Sequence, residues 1–222
     1  MKLAILGATG GVGSALVTQA IERGDDVTAV VRSPERLPAG VRGVRMDFAT
    51  ATGPEPLGPA FAGAHAVLCA LGPRSRAEAG VMTSAIRLVL PAMRTADVRR
   101  LVVVSAVPVP TVPSPERPDP PSRDPEEGFI MRNVLGPIVR KAFWDSYLDL
   151  AEMEDLVRAS DRAWTIVRPP RLLNKPLTGR YRTRVGANVR GGRSIPRADV
   201  AHFLLATIDR PETVGQTVGI AT

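Results

Sequence analysis

The sequence predicts an α/β protein built on a doubly wound parallel sheet, with a small C-terminal lobe and a proline-rich insertion. Three observations predict it. Short apolar or β-branched runs alternate with helix-length segments from Lys2 to about Ser105. A glycine-rich turn, Gly7-Ala8-Thr9-Gly10-Gly11-Val12-Gly13, joins the first run to the first helical segment. The 222 residues, 44% of them apolar, suit one globular domain over 1–222. Strands that alternate with helices give a parallel sheet covered on both faces.

In chain order, Lys2 to Leu6 is a buried-strand run that ends in glycine. Val12, Leu16 and Ala20 recur at i, i+4 spacing, one face of a helix. Gly24 stands where a helix takes its left-handed C-terminal residue, and Asp25 and Asp26 turn the chain into the strand Val27 to Val31. Further strands are expected near 41–46, 65–71 and 100–105, with a helix over 81–95. The stretch VPVPTVPSPERPDPPSRDP, 107–125, excludes helix and inner strand; it is either an extended linker or a loop beside the active site. Helical character returns over 129–160, with a kink expected at Pro137 and a second helix from about Leu148 to Arg158. Trp164 to Val167 reads as a core strand stopped by Pro169 and Pro170. A last helix is expected over 197–208 and a terminal strand at 218–220.

Composition excludes several classes. Apolar runs fall short of the roughly 18 residues a membrane span needs, and the start of the chain reads as a strand rather than a leader, so a cytoplasmic protein is expected. Cys69 is the single cysteine and, among Val67, Leu68 and Leu71, reads as core. His65 and His202 lie far apart in sequence and read as structural, so no metal site is expected. The net charge of +7 rests on arginine, since Lys2, Lys141 and Lys175 are the only lysines. Those arginines are scattered and accompany no nucleic-acid motif, so no nucleic-acid partner is expected. Some of them could grip an anionic cofactor or substrate. On the second helix, Glu152, Glu154 and Asp155 read as a solvated acidic face, with Glu152 or Asp149 an acid only if that helix borders a pocket.

The glycine turn carries the chemistry. Gly7 permits the tight turn, Gly10 lets backbone approach a pyrophosphate without a Cβ, and Gly13 lets the helix pack on the strand. Free N–H groups at the helix start then face the phosphates, with Thr9, Gly11 and Val12 in the same turn. No lysine follows Gly13, which excludes a nucleoside-triphosphate loop. A dinucleotide site of the Rossmann type is predicted. At the end of the second strand a carboxylate would select NAD and an arginine NADP. Arg32 occupies that place, with Ser33 next and Arg36 one turn on, so NADP is predicted. Asp47, followed by Phe48, either faces the adenine edge or caps the next segment.

GATGGVG at the start, Arg32 after the second strand and WTIVRPP at 164–170 together resemble the atypical short-chain dehydrogenase/reductases of the NAD(P)H-binding, NmrA-like type. RPPRLLNKPLTGRYR and RADVAHFLL are similar to the matching region of the flavin reductase, or biliverdin IXβ reductase, branch. The resemblance implies that Ala70, Leu71, Gly72 and Ser105 line the cofactor groove, and that Pro169, Pro170, Arg171 and Leu172 lie beside the nicotinamide. It implies catalytic roles for Ser105 and Arg171, the Ser105 hydroxyl bonding either a substrate carbonyl or the nicotinamide amide. Residues 107–147 look like a substrate-side enlargement relative to that branch. The Tyr-x-x-x-Lys pair of typical members is missing, because Tyr147 and Tyr181 are followed four residues on by Ala151 and Val185. Solvent, cofactor or substrate must then supply the proton, which suits conjugated acceptors such as flavins, quinones and tetrapyrroles. An NADPH-dependent reductase of a small molecule, monomeric or homodimeric, leads. A non-redox enzyme on the same fold and an NADP-sensing regulator are the alternatives.

Overall fold

The computed structural model describes residues 1–72, 78–126 and 142–222. Its main sheet contains β1 (Lys2–Leu6), β2 (Asp26–Val31), β3 (Arg42–Arg45), β4 (Ala66–Cys69), β5 (Arg100–Val104), β6 (Ala163–Arg168), β8 (Arg182–Val185) and β10 (Gln216–Ala221). They lie in the order β3-β2-β1-β4-β5-β6-β10-β8. Every neighbouring pair is parallel except β10 and the edge strand β8. The order turns back between β1 and β4, and such a reversal opens a crevice at the carboxyl ends of the strands.

Alternation along each strand sorts the core into two layers. Leu3, Ile5, Ala29 and Leu68 face α1 (Gly11–Glu22) and a helix here called α5 (Arg197–Thr207). Ala4, Leu6, Val67 and Cys69 face α2 (Gly58–Phe61), α3 (Val81–Thr95) and α4 (Trp144–Arg158). This is the doubly wound arrangement expected from strands that alternate with helices. Cys69 is fully buried, and burial pushes its thiol up to about 11.

Local chemistry sets the helix ends. Gly24, at φ +81°, closes α1: its N–H donates to the Ile21 carbonyl at 2.8 Å and that of Asp25 to Ala20 at 2.9 Å. These are the two bonds of a Schellman motif. At the start of α3 no neighbouring side chain caps the helix. The buried Asp149 carboxylate on α4 does so instead, accepting the N–H groups of Met82 at 2.9 Å and Thr83 at 2.8 Å.

Boundaries shift modestly from the sequence reading. The expected strand 65–71 narrows to 66–69, and α4 begins at Trp144 rather than near Leu148. The helix expected from 129 and its kink at Pro137 lie outside the described residues up to 141. Missed elements are the small sheet of β7 (Arg171–Leu173) and β9 (Ser194–Pro196), the edge strand β8 and the single turn of α2. Strand β8, with sequence RTRV, is exposed along its length and so carries no apolar alternation.

The proline-rich stretch is a packed loop, not an extended linker. Val109 and Val112 are buried against Ala151, with Tyr147, Leu148 and Leu150 around them. Arg117 donates to the Val109 carbonyl at 2.9 Å, and the Glu116 N–H reaches Asp155 of α4 at 3.1 Å. Asp124 is buried and accepts from Asn188, whose amide also donates to the Val107 carbonyl at 2.9 Å. No helix among the described residues is long and apolar enough to cross a membrane.

Candidate cofactor cleft

A cleft of about 350 Å³ opens where the strand order reverses. Its floor is the glycine turn, with Gly7, Thr9, Gly10, Gly11 and Val12. Arg32 after β2 and Met46, Asp47 and Phe48 after β3 form one wall; Ala70, Leu71 and Gly72 after β4 form the next. Glu78, Val81, Val104, Leu172 and Arg197 complete it.

Close packing explains the glycines. Gly7 sits at φ +76°, and a Cβ there would lie 2.7 Å from the Ala70 carbonyl oxygen. A Cβ on Gly13 would come within 2.1 Å of the Gly7 oxygen, so α1 can reach the strand only with glycine at that place. Gly10 is less constrained by the protein itself, its nearest contact being 3.2 Å, and it faces the cleft as the residue preceding α1. That helix has no side-chain cap and no acidic residue in its first turn. Its leading N–H groups lack partners within the helix and favour an anion. A cradle that a Cβ would fill, ending in an uncapped helix start, fits the diphosphate of a dinucleotide.

The other expected site residues divide. Asp47 lines the cleft and also accepts the Ala49 N–H at 3.0 Å. Gly13, Ser33, Arg36, Ser105, Pro169, Pro170 and Arg171 are not part of the lining. Gly13 is a packing residue. Ser33 precedes the short 3-10 turn of Pro34–Arg36, where Arg36 is exposed. Arg171 begins β7 with its side chain in solvent, and the Pro169 carbonyl is engaged by the Val107 N–H at 3.2 Å.

Ser105 follows β5 directly beside the lining residue Val104, but it is buried and its hydroxyl donates to Glu154 Oε1 at 2.5 Å. Glu154 was expected on a solvated face and is instead fully buried. Leu150, Met153 and Val157 share its side of α4 at helical spacing, a signal present in the sequence. Arg168 of β6 grips both carboxylate oxygens, Nε to Oε1 at 2.8 Å, and Arg158 reaches Oε2 at 2.6 Å. Burial by itself would push the Glu154 carboxyl up, but Arg168 and then Arg158 hold it below the ordinary carboxylate range. Of the other acidic candidates, Asp149 caps α3, and Glu152 pairs with Arg87 at 2.6 Å on the surface. Neither lines the cleft.

Sequence reasoning did not place Glu78 or Arg197 at the cleft, whereas Leu172, which the family resemblance put beside the nicotinamide, is in the lining. Glu78 accepts from Arg32 at 2.6 Å, so the arginine meant for a phosphate already faces a carboxylate. Leu172 comes from the unforeseen strand β7. Arg197, first residue of α5, lies across Gly11. In the same helix Asp199 is fully buried and accepts the N–H groups of Thr178 at 2.8 Å and Gly179 at 2.9 Å, fastening the C-terminal lobe. His202 contacts the Tyr181 hydroxyl at 2.7 Å, outside the cleft.

The fold and the cleft define an NAD(P)-binding α/β protein of the Rossmann type. A profile of the NAD(P)H-binding family matches residues 7–211, and the chain belongs to that family. Among solved structures it is similar to the oxidoreductase YlbE of Lactococcus lactis, with TM-score 0.78 and 20% identity over 100% of this chain and 91% of that one. It is similar also to a proposed NADH-flavin reductase of Streptococcus pneumoniae, with TM-score 0.75 and 22% identity over 100% and 99% of the two chains. An anaerobilin reductase of Escherichia coli matches with TM-score 0.75 and 19% identity over 99% and 96%. At these identities the likeness is one of fold.

Proposed function

We propose that the protein is an NADPH-dependent reductase that transfers hydride to a conjugated small molecule of the flavin, quinone or tetrapyrrole kind. The observation that carries this reading is the cleft itself, a glycine cradle at the strand-order reversal with Arg32 at the end of β2. The similarity in fold to proteins described as flavin and anaerobilin reductases favours the same acceptor class.

In this reading the turn from Gly7 to Val12 and the start of α1 hold the diphosphate, while Arg32 meets the 2′-phosphate of the adenosine half. Asp47 and Phe48 border the adenine. Bound NADPH supplies the hydride. Val104 and Leu172 give the groove an apolar wall that keeps water from the reacting face. The Ser105 hydroxyl, whose proton is given to a carboxylate that two arginines keep ionised, does not supply a proton to a substrate carbonyl. Among the described residues, the titratable side chains lining the cleft are Arg32, Asp47, Glu78 and Arg197, and no tyrosine, lysine or histidine lines it. Tyr147 and Tyr181 are raised by burial and stand elsewhere. A conjugated acceptor that takes its proton from solvent after hydride arrival matches this inventory better than a simple ketone.

The test is NADPH oxidation, followed by loss of its near-ultraviolet absorbance, against flavins, quinones, linear tetrapyrroles and simple ketones, alongside calorimetric binding of NADP and NAD. Turnover of one conjugated class with inert ketones is expected. Tight NADP binding with no turnover on any acceptor refutes the reductase and leaves a sensing role; no dinucleotide binding refutes both. Arg32→Asp should weaken NADP more than NAD, and equal losses would show that Arg32 does not meet the 2′-phosphate.

A further inference from the structure

We infer that Arg197 is a second anion-binding residue of the cleft, one that clamps the diphosphate of the dinucleotide against the start of α1. The inference rests on the reading of the cleft as an NADP site. It concerns a residue at the far end of the chain from the glycine turn.

The first observation is steric. A Cβ built on Gly11 would lie 2.5 Å from Arg197 Cδ and 2.6 Å from Nε, so this side chain crosses the first residue of α1. A side chain at Gly11 would push the Arg197 side chain off the start of the helix. The guanidinium stem lies beside the first turn of a 12-residue helix, whose N-terminal end is already positive.

The second observation is electrostatic. A cation beside a helix N-terminus is unfavourable unless an anion joins them. The first turn of α1 holds no acidic residue, and the N-cap is Gly10. Arg197 Nη1 donates to the Asn174 side-chain oxygen at 2.6 Å and to the Leu172 carbonyl at 3.4 Å, both neutral acceptors. Among the described residues no carboxylate lies within 4 Å of its charged nitrogens. Arg32, by contrast, has Glu78 at 2.6 Å. The Asn174 contact aims the fork and leaves other donors on it for a bidentate grip. What the arrangement lacks is a doubly charged oxyanion above Gly10 and Gly11, as a diphosphate is.

The positions of the two arginines assign them different parts of one ligand. Arg32 follows β2, on one side of β1, where the 2′-phosphate is read. Arg197 meets Gly11 and, through Leu172, touches β7 on the opposite flank. Arg197 would thus also tie the glycine turn to the C-terminal lobe when the ligand is in place.

The experiment is calorimetric binding of NADPH and of adenosine 2′-monophosphate, which keeps the 2′-phosphate and lacks the diphosphate, to the wild-type, R197Q and R197K proteins. R197Q should weaken NADPH by roughly 10- to 100-fold and leave adenosine 2′-monophosphate unchanged. R197K should recover part of the loss, since it restores the charge without the planar fork. Arg32→Asp, which acts on the 2′-phosphate that both ligands carry, should instead weaken both. R197Q that binds NADPH as wild type does, or that loses both ligands equally with an unchanged melting temperature, overturns the assignment while leaving the cofactor reading intact. Wild-type protein that fails to bind NADPH overturns the cofactor reading and the clamp with it.

Discussion

Replacing Glu154 by alanine removes the counter-charge from Arg168, whose side chain is only 6% exposed, and leaves the Ser105 hydroxyl without its acceptor. Arg158, at 32%, can turn toward solvent, but Arg168 cannot. Breaking a buried pair by deleting one partner costs about 3–5 kcal/mol. In a domain of this size that lowers the melting temperature by roughly 6–20 °C. The sign of the pH dependence follows from the lowered Glu154 carboxyl. Its contribution is fully present above the unfolded-chain value of about 4.3 and is lost as pH falls through the lower folded value. Thermal melts of wild type and Glu154→Ala should therefore differ most near neutrality and converge in acid. A double variant, Glu154→Met with Arg168→Met, should lose less than the single one, because two apolar side chains of similar volume need no counter-ion. A single variant that melts with wild type at neutral pH, or a gap that widens in acid, would refute the account of a buried carboxylate held ionised by Arg168.

Three further outcomes follow from the same geometry. Gly13→Ala puts a methyl group 2.1 Å from the Gly7 oxygen and should both lower the melting temperature and weaken dinucleotide binding at least tenfold, or roughly 1.4 kcal/mol, by calorimetry; a well-folded Gly13→Ala that binds normally would contradict the packing described. Asp149→Ala uncaps α3 from another helix and should cost about 1–2 kcal/mol in urea unfolding, with an unchanged m-value. Glu78→Gln frees Arg32 from its partly exposed carboxylate and should tighten NADP by about two- to fivefold, the scale of a surface ion pair, with little change for NAD.

The parts of the fold legible in the sequence are those with a repeating burial pattern. Strands β1, β2 and β5 are short continuous apolar runs bounded by turn residues, and helices α1 and α3 bury apolar residues at helical spacing, so local pattern finds them. Strand β8 has arginine and threonine in place of that pattern, because it is an edge strand whose pairing with β10 is made by backbone. Its existence depends on β10 being there to receive it, which no local signal announces. The proline-rich loop is a related case. Its prolines argue against a helix, yet Val109–Thr111 forms a 3-10 turn, and Val109 and Val112 lie buried against α4 because their partners Ala151 and Tyr147 come from a distant helix.

The same division runs through the cleft. Gly7, Gly10 and Arg32 were legible because turn, helix start and strand end are fixed by local order in one β-α-β unit. Glu78 and Arg197 reach the cleft only when the sheet brings distant loops to one edge. The consequence is electrostatic as well as geometric. The sequence alone suggests a cation cluster of Arg32 and Arg36, but Arg36 stays in solvent and Arg32 faces Glu78. Among the described residues, the cation with only neutral partners beside the glycine turn is Arg197. A reading of cofactor preference from the residue after β2 therefore weighs one half of a pair. On the proposed NADP reading, the 2′-phosphate would compete with Glu78 for Arg32, so discrimination between NADP and NAD should be narrower than an unpaired arginine would give, and it should widen when that carboxylate is neutralised.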